Sequence, residues 1–385
     1  MNQADIIYFD HAAATPVEER VLRAMQPYWG ELFYNPSSPY SPALDVRRQY
    51  ESAKDDIARL IGGRRDELVM TAGATESINL AFAGCNGHVV APVTEHQAVL
   101  AAASRLDHTL VKVDRYGLVD PDDIKQAITP ETELVSVALA NNELGTIQPI
   151  AEIAAVIKAE RQRRMDQGDA RPIYLHSDAS QGAGLIDIRV SRLGVDMLTL
   201  NAGKVYGPKQ VGLLWVRAGV ELRPVVLGGG QERGLRSGTE NVAGAIGMAE
   251  ALRLADKHRK SEAVRLEALR DKLQQRLVAE FDEAVVSGAP KKRLASHLHI
   301  SFPGLDAERL IFRLEARGVL VATGSACAAN KGTRSHVLTA IGLEPEVADG
   351  SLRISLGKLT DEQAIQRGGD ILIEEITSEY ERTSR

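Results

Sequence analysis

Leu200-Asn201-Ala202-Gly203-Lys204-Val205-Tyr206-Gly207-Pro208-Lys209 sets a lysine in a Gly/Pro-punctuated turn, directly after the strand-like run Met197-Leu198-Thr199-Leu200. Upstream, Ile173-Tyr174-Leu175-His176-Ser177-Asp178 is a second short apolar run that ends in polar residues, and Ala179-Ser180-Gln181 follows it at once. Both runs read as buried strands, and the carboxyl ends of parallel strands open on a common crevice. Lys204 and the Asp178/Gln181 pair therefore emerge at one rim. A lysine in such a loop is ordinarily a solvated surface group, but a nearby carboxylate gives it another use. Pyridoxal phosphate is an electron sink only while its pyridine nitrogen stays protonated, so its protein must supply a carboxylate to that nitrogen and a lysine that carries the group. Asp178 and Lys204 are the candidates.

Three further stretches have the right chemistry. Thr71-Ala72-Gly73-Ala74-Thr75-Glu76-Ser77 follows the apolar Leu68-Val69-Met70 and opens a helix-like stretch. Small residues at a helix start let backbone N–H groups approach an anion, so Ala74 and Thr75 suit a phosphate; the plain alternative is a side-chain cap from Thr75 or Ser77. Val93-Thr94-Glu95-His96 follows Val89-Val90-Ala91 and puts an imidazole at a strand end, where it can stack on a cofactor ring or move protons. Asn141-Asn142-Glu143 follows Leu134 to Leu139, and an amide there can bond a phenolic oxygen or a carboxylate, although paired Asn residues also form turns.

Together with Tyr8 to Pro16, Asn35-Pro36-Ser37-Ser38, Gly228 to Thr239, Gly324-Ser325-Ala326-Cys327 and Leu352 to Gly357, these motifs run through nearly the whole chain in order. The chain resembles the cysteine desulfurases, pyridoxal-phosphate enzymes of fold type I, and is most similar to the group with the longer catalytic-cysteine loop. The resemblance implies an α/β fold: a large domain (15–250) with a mainly parallel sheet flanked by helices, and a smaller α+β domain (1–14 and 251–385) that carries the cysteine loop, about 322–334. It implies that Lys204 carries the cofactor and moves the α-proton of L-cysteine, that His96 assists, and that Cys327 attacks the substrate sulfur to become a persulfide, leaving alanine. The implied cofactor contacts are Ala74, Thr75, His96, Asn142, Asp178, Gln181, Asn201, Gly203 and Lys204, with Thr239 reaching a partner copy's phosphate across a homodimer. Asn35, Asn142 and Arg353 would hold the substrate, Arg353 as a planar fork on its carboxylate. Sulfur would pass to an acceptor protein in iron–sulfur cluster assembly, tRNA thiolation or another sulfur-modification pathway.

The chain departs from the family pattern at four places. Gly203 stands where histidine is usual, Asn201 where serine or threonine is usual, and Tyr40 and Ala43 replace an expected histidine and glycine. Rearranged phosphate contacts are the expectation, with Asn201 as a replacement donor. Two other readings stay open: a fold type I enzyme of different chemistry, such as a selenocysteine lyase or aminotransferase, and a non-catalytic scaffold in a sulfur-transfer complex.

Composition frames these readings without producing them. The chain has 385 residues, 44% hydrophobic and 25% charged, and a net charge of −6, which argues against direct nucleic-acid binding. Arg161, Arg163 and Arg164 form a local basic run on a predicted helix, either a solvated face or a contact for an acidic partner. Two cysteines offer no disulfide framework; Cys85 reads as a small buried residue, whereas the small-residue segment Ala322 to Gly332 reads as a mobile loop around Cys327. No apolar run approaches a membrane span, no signal-peptide core is present at the N-terminus, and no metal site is expected, so a cytoplasmic location is predicted. A helix from about Asn241 to Phe281 is predicted to link the two domains.

Overall fold

Strand β1 (Ile7–Tyr8) pairs in parallel with β11 (Val319–Leu320), while most of the chain between them builds a seven-stranded sheet. Its members are β2 (Leu68–Thr71), β3 (His88–Pro92), β4 (His108–Val111), β5 (Thr132–Ser136), β6 (Tyr174–Asp178), β7 (Met197–Asn201) and β8 (Gly212–Val216), ordered β2-β8-β7-β6-β5-β3-β4. The run from β7 to β4 is parallel throughout, and only β8 is antiparallel to its two neighbours. Both faces of β3 and β8 are buried, which is why these strands read as continuous apolar runs rather than alternating ones. The structure is a computed structural model that describes residues 6–323 and 334–383; Cys327, Gly324 to Ala326 and the expected loop around them lie outside the described residues.

A smaller antiparallel sheet of β9 (Val285–Ser287), β10 (His297–Ser301) and β12 (Ser351–Ser355), ordered β12-β10-β9, packs under the helices Ala307–Ala316 and Glu362–Thr383. The helix Val242–Glu280 serves both bodies. Val242 to Leu254 pack into the core of the large sheet, and Leu266, Leu269, Leu273 and Leu277 into that of the small one. Residues 256–261, where the helix crosses from one core to the other, contribute to neither core. Removing any one of these leucines would open a cavity costing about 2–5 kcal/mol.

The basic run expected on a helix face is not a patch. Arg164 is buried, with its guanidinium on Glu160 and on the Pro172 and Thr129 carbonyls, Arg161 is paired with Asp196, and Arg163 with Glu160. Arg164 is enclosed and the charges of Arg161 and Arg163 are paired, with Arg163 half exposed. Cys85 is buried as expected, and burial pushes its thiol up to about 12, which makes it inert as a nucleophile.

Candidate active site

The parallel order β3, β5, β6, β7 brings four strand ends to one rim, and each delivers a predicted site residue. His96 follows β3, Asn142 follows β5, Asp178 ends β6, and Lys204 lies one turn past β7. They line one cavity of about 280 Å³, which also takes in Ala74, Thr75, Gln181, Asn201 and, from the small body, Arg353.

Lys204 is held against the N-terminal segment. Its Nζ donates to the Ala12 and Ala13 carbonyls at 2.7 Å each, and Gln181 Nε2 donates to Ala12 O at 3.1 Å. The lysine turn is set by Asn201, whose Oδ1 accepts the Gly203 N–H at 3.0 Å, leaving its amide nitrogen as the group able to donate. Asp178 Oδ1 accepts the Ser180 N–H at 2.9 Å, which orients the carboxylate at the strand end. His96 caps the helix Gln97–Ala103 by accepting Ala98 N–H at Nδ1, 3.1 Å. The ring edge is open to the cavity, yet protein around it lowers its proton affinity; Asp178 opposes that shift, and the Lys204 and His336 charges add to it.

The anion cradle is present. The helix Ala74–Ala83 starts from Gly73 at φ 130° with no side-chain cap, because Ser77 and Thr71 bond each other at 2.7 Å and turn to the Gly73 carbonyl. A Cβ on Gly73 would meet nothing within 4 Å, so the backbone there faces open space. An uncapped helix start with free N–H groups is the arrangement a phosphate needs. Ser180 Oγ is buried beside it in the cavity lining with no partner. An orphaned hydroxyl, a carboxylate, a lysine and an open helix N-terminus fit pyridoxal phosphate.

Arg353, on β12, reaches the cavity already paired. Its Nη2 donates to Asp10 at 2.7 Å and Nη1 to Asn142 O at 3.3 Å, while Nε is buried without a partner. Two buried carboxyls flank the site. Burial pushes Glu95 up to about 8 and Glu143 up to about 7; Glu95 accepts Ala138 N–H and Glu143 accepts the Ser335 hydroxyl. His336 adds a wall: its Nε2 donates to Glu95 O at 3.0 Å, which leaves Nδ1 to accept from Gln97.

Three expected contacts are not assembled here. Gly203 does not line the cavity: its N–H is taken by Asn201 and its carbonyl by the Thr15 backbone and hydroxyl, so its groups point into the fold. Asn35 is exposed and closes a turn by accepting Ser37 N–H, away from the pocket of its own chain. Thr239 is likewise exposed and lines no part of it. Asp10, Ser180, Glu95, Glu143 and His336 went unassigned in the sequence reading. Ser180 and Glu95 sit between assigned residues and were legible by position, whereas Asp10 and His336 arrive from remote parts of the chain.

Comparison with known proteins agrees with this geometry. The aminotransferase class-V family matches residues 7–367. The chain is 40% identical to a protein named cysteine desulfurase IscS 1 from Archaeoglobus fulgidus, over 95% of each chain. Among solved structures it resembles a NifS-like protein (TM-score 0.88, 32% identity, 97% of this chain and 100% of that one) and SspA in complex with cysteine (TM-score 0.76, 34% identity, 91% and 98%).

Proposed function

The chain belongs to the aminotransferase class-V family and within it to the cysteine desulfurases, with pyridoxal phosphate as cofactor, and from that premise we propose how its residues divide the work. Bound at this rim, pyridoxal phosphate supplies the electron sink that makes the substrate α-proton removable. Lys204 carries it and moves the proton between Nζ and the substrate Cα. Asp178 holds a proton on the ring nitrogen, and its attachment to Ser180 N–H keeps it aimed there. The free N–H groups of Ala74 and Thr75, the Ser180 hydroxyl and the Asn201 amide hold the phosphate, which compensates for the inward-turned Gly203. His96 covers the ring face, and Gln181 and Asn142 bond its polar edge.

Arg353 receives the carboxylate of L-cysteine, exchanging part of its bond to Asp10 for a charge-assisted pair with the substrate. Asp10 keeps the guanidinium ionised and in place before substrate arrives. The nucleophile is Cys327, whose thiolate takes the substrate sulfur as a persulfide and releases alanine. The persulfide then goes to an acceptor protein in iron–sulfur cluster assembly, tRNA thiolation or another sulfur-modification pathway.

A second copy of the chain completes the assembly in this reading. Trp29, Phe33, Tyr40 and Leu44 lie exposed within one short stretch around Asn35, and Leu227 is exposed in the segment leading to Thr239. Apolar groups concentrated in this way mark a surface that is covered in use. The segment that carries Thr239 is no loose loop: Glu232 is buried against Lys54 and Tyr50 and accepts Met70 N–H. It would present Thr239 to the partner in a fixed position. The cytoplasm is the proposed location; no described helix is long and apolar enough to cross a membrane.

The Lys204 cavity, with Asp178, an uncapped helix start and Arg353 on one rim, carries this proposal. Its test is product analysis: the protein given L-cysteine should form alanine and a persulfide, and Cys327→Ser should form neither. Full alanine production by Cys327→Ser would sink the persulfide step and favour a lyase of different chemistry. Failure of the wild type to gain visible absorbance with pyridoxal phosphate would leave only the scaffold reading.

A further inference from the structure

Behind the lysine lies a second cavity, about 320 Å³, which shares only Ala12, Gln181 and Lys204 with the first. It sits where the two cores meet: Leu254 belongs to one core and Leu356 to the other, and both line it. Among its leucines and the charged Glu18, Arg20, Glu262 and Lys358 stand two buried imidazoles. His11 is 6% exposed and His297 2%, and the Nε2 of each is buried with no partner. His11 Nδ1 lies 3.1 Å from the Ser355 carbonyl and must donate to it, so in the neutral ring Nε2 carries the lone pair. His297 Nδ1 is engaged by Ser296 at 2.9 Å. Burial lowers the proton affinity of both rings, so both are neutral at physiological pH. At the other end the exposed residues His258 and Ser261 open the cavity to solvent.

Unpaired buried polar atoms in a cavity of this size are satisfied by ordered water, which needs two or more polar partners. The chamber's lining runs from Lys204 to the exposed His258 and Ser261. We propose that this rear chamber holds water that exchanges the proton of the Lys204 amine with bulk solvent, so that hydrogen taken from the substrate Cα is replaced by solvent hydrogen before it is returned. His11 Nε2 accepts from this water and His297 fixes its position. In each exchange Lys204 Nζ gives one proton to a water oxygen while another O–H proton comes back to nitrogen; only N–H and O–H bonds change, and no charge accumulates. The front cavity, closed by substrate during turnover, leaves the rear as the route to solvent.

The inference rests on the proton-moving role given to Lys204, and its test separates the two. Cofactor-loaded protein is supplied with Cα-deuterated L-cysteine in ordinary water, and deuterium at Cα of the alanine is measured in early turnovers. Wild type should yield alanine with mostly solvent hydrogen. Ala255→Leu, which fills the chamber from its lining, and Ser261→Phe, which blocks its mouth from an exposed position, should each retain severalfold more deuterium, with cofactor absorbance and thermal midpoint kept. Unchanged isotope content in folded Ser261→Phe and Ala255→Leu overturns the chamber's role while leaving the desulfurase reading intact. If Ala255→Leu does not fold, Ser261→Phe alone decides. Wild type that forms no alanine overturns both. Independently, a cofactor-free crystal structure should show ordered water within hydrogen-bond distance of His11 Nε2 and His297 Nε2, and a dry chamber contradicts the proposal.

Discussion

The two cavities beside Lys204 are built from different parts of the molecule. The front one gathers a carboxylate, an uncapped helix N-terminus, a guanidinium and several amides from four strand ends of one sheet. The rear one is lined by leucines from two cores and two buried neutral imidazoles, together with Glu18, Arg20, Glu262 and Lys358. In the proposed reading the front holds the charged cofactor and substrate, and the rear holds the water that exchanges protons with the lysine. Lys204 lines both cavities and is held by the Ala12 and Ala13 carbonyls.

The largest expected effect comes from removing that lysine. Lys204→Ala should reduce cysteine-dependent alanine formation by about 10⁴-fold or more, since attachment and proton transfer are both lost; retained turnover would detach the lysine from the chemistry of either cavity. Asp178→Asn tests the front alone. It should lower turnover by roughly 10²-fold at unchanged fold, because a neutral amide no longer stabilises the charge on the ring nitrogen. Arg353→Lys should act on binding. Losing a charge-assisted, forked contact worth ~1.5–3 kcal/mol predicts a KM for cysteine raised roughly 10–100-fold, with cofactor absorbance unchanged. A fall in kcat without a rise in KM would move Arg353 out of the substrate clamp.

The smallest effect is on stability against pH in the cofactor-free protein. Glu143 and Glu95 are raised to about 7 and about 8 from 4.5, so the folded chain binds more protons than the unfolded one between those values. Their contribution is fully present below pH 4.5 and is lost as pH rises through 7 and 8. His176 and His297 run the other way. Depressed from 6.5 to about 4 and about 3, they contribute stability above pH 6.5 that is lost as pH falls. Glu143→Gln should therefore remove a decline in thermal midpoint between pH 4.5 and about 7 and leave the slope below pH 4.5 and above about pH 7 unchanged. An unaltered decline would place the titrating group elsewhere.

Much of the front cavity could be read from sequence because His96, Asn142, Asp178 and Lys204 each follow or end a strand whose apolar run is visible. Asp178 and Lys204 end adjacent parallel strands, so local pattern alone puts them on one rim. The helix Val242–Glu280 was legible from its run of helix-forming residues. The rear chamber was not. His11, Ser261, His297 and Leu356 come from distant segments, and nothing in local periodicity says that they meet. Gly203 lies outside the cavity lining for a related reason. Its position beside the lysine suggests a cofactor contact, but its N–H donates to Asn201 and its carbonyl accepts from Thr15, a tertiary arrangement invisible in a loop sequence. Asn35 and Thr239 are both exposed, and in the proposed homodimer a second copy would decide their contacts.

The claim on which the rest depends is that Lys204 is the residue that carries the cofactor. Borohydride reduction of the pyridoxal-phosphate-loaded protein, followed by peptide mapping, measures this directly. The tag is predicted on the peptide containing Lys204 and is predicted to be absent from Lys204→Ala. A tag on Lys209 or another lysine, or no tag on a protein that still forms alanine from cysteine, would contradict it.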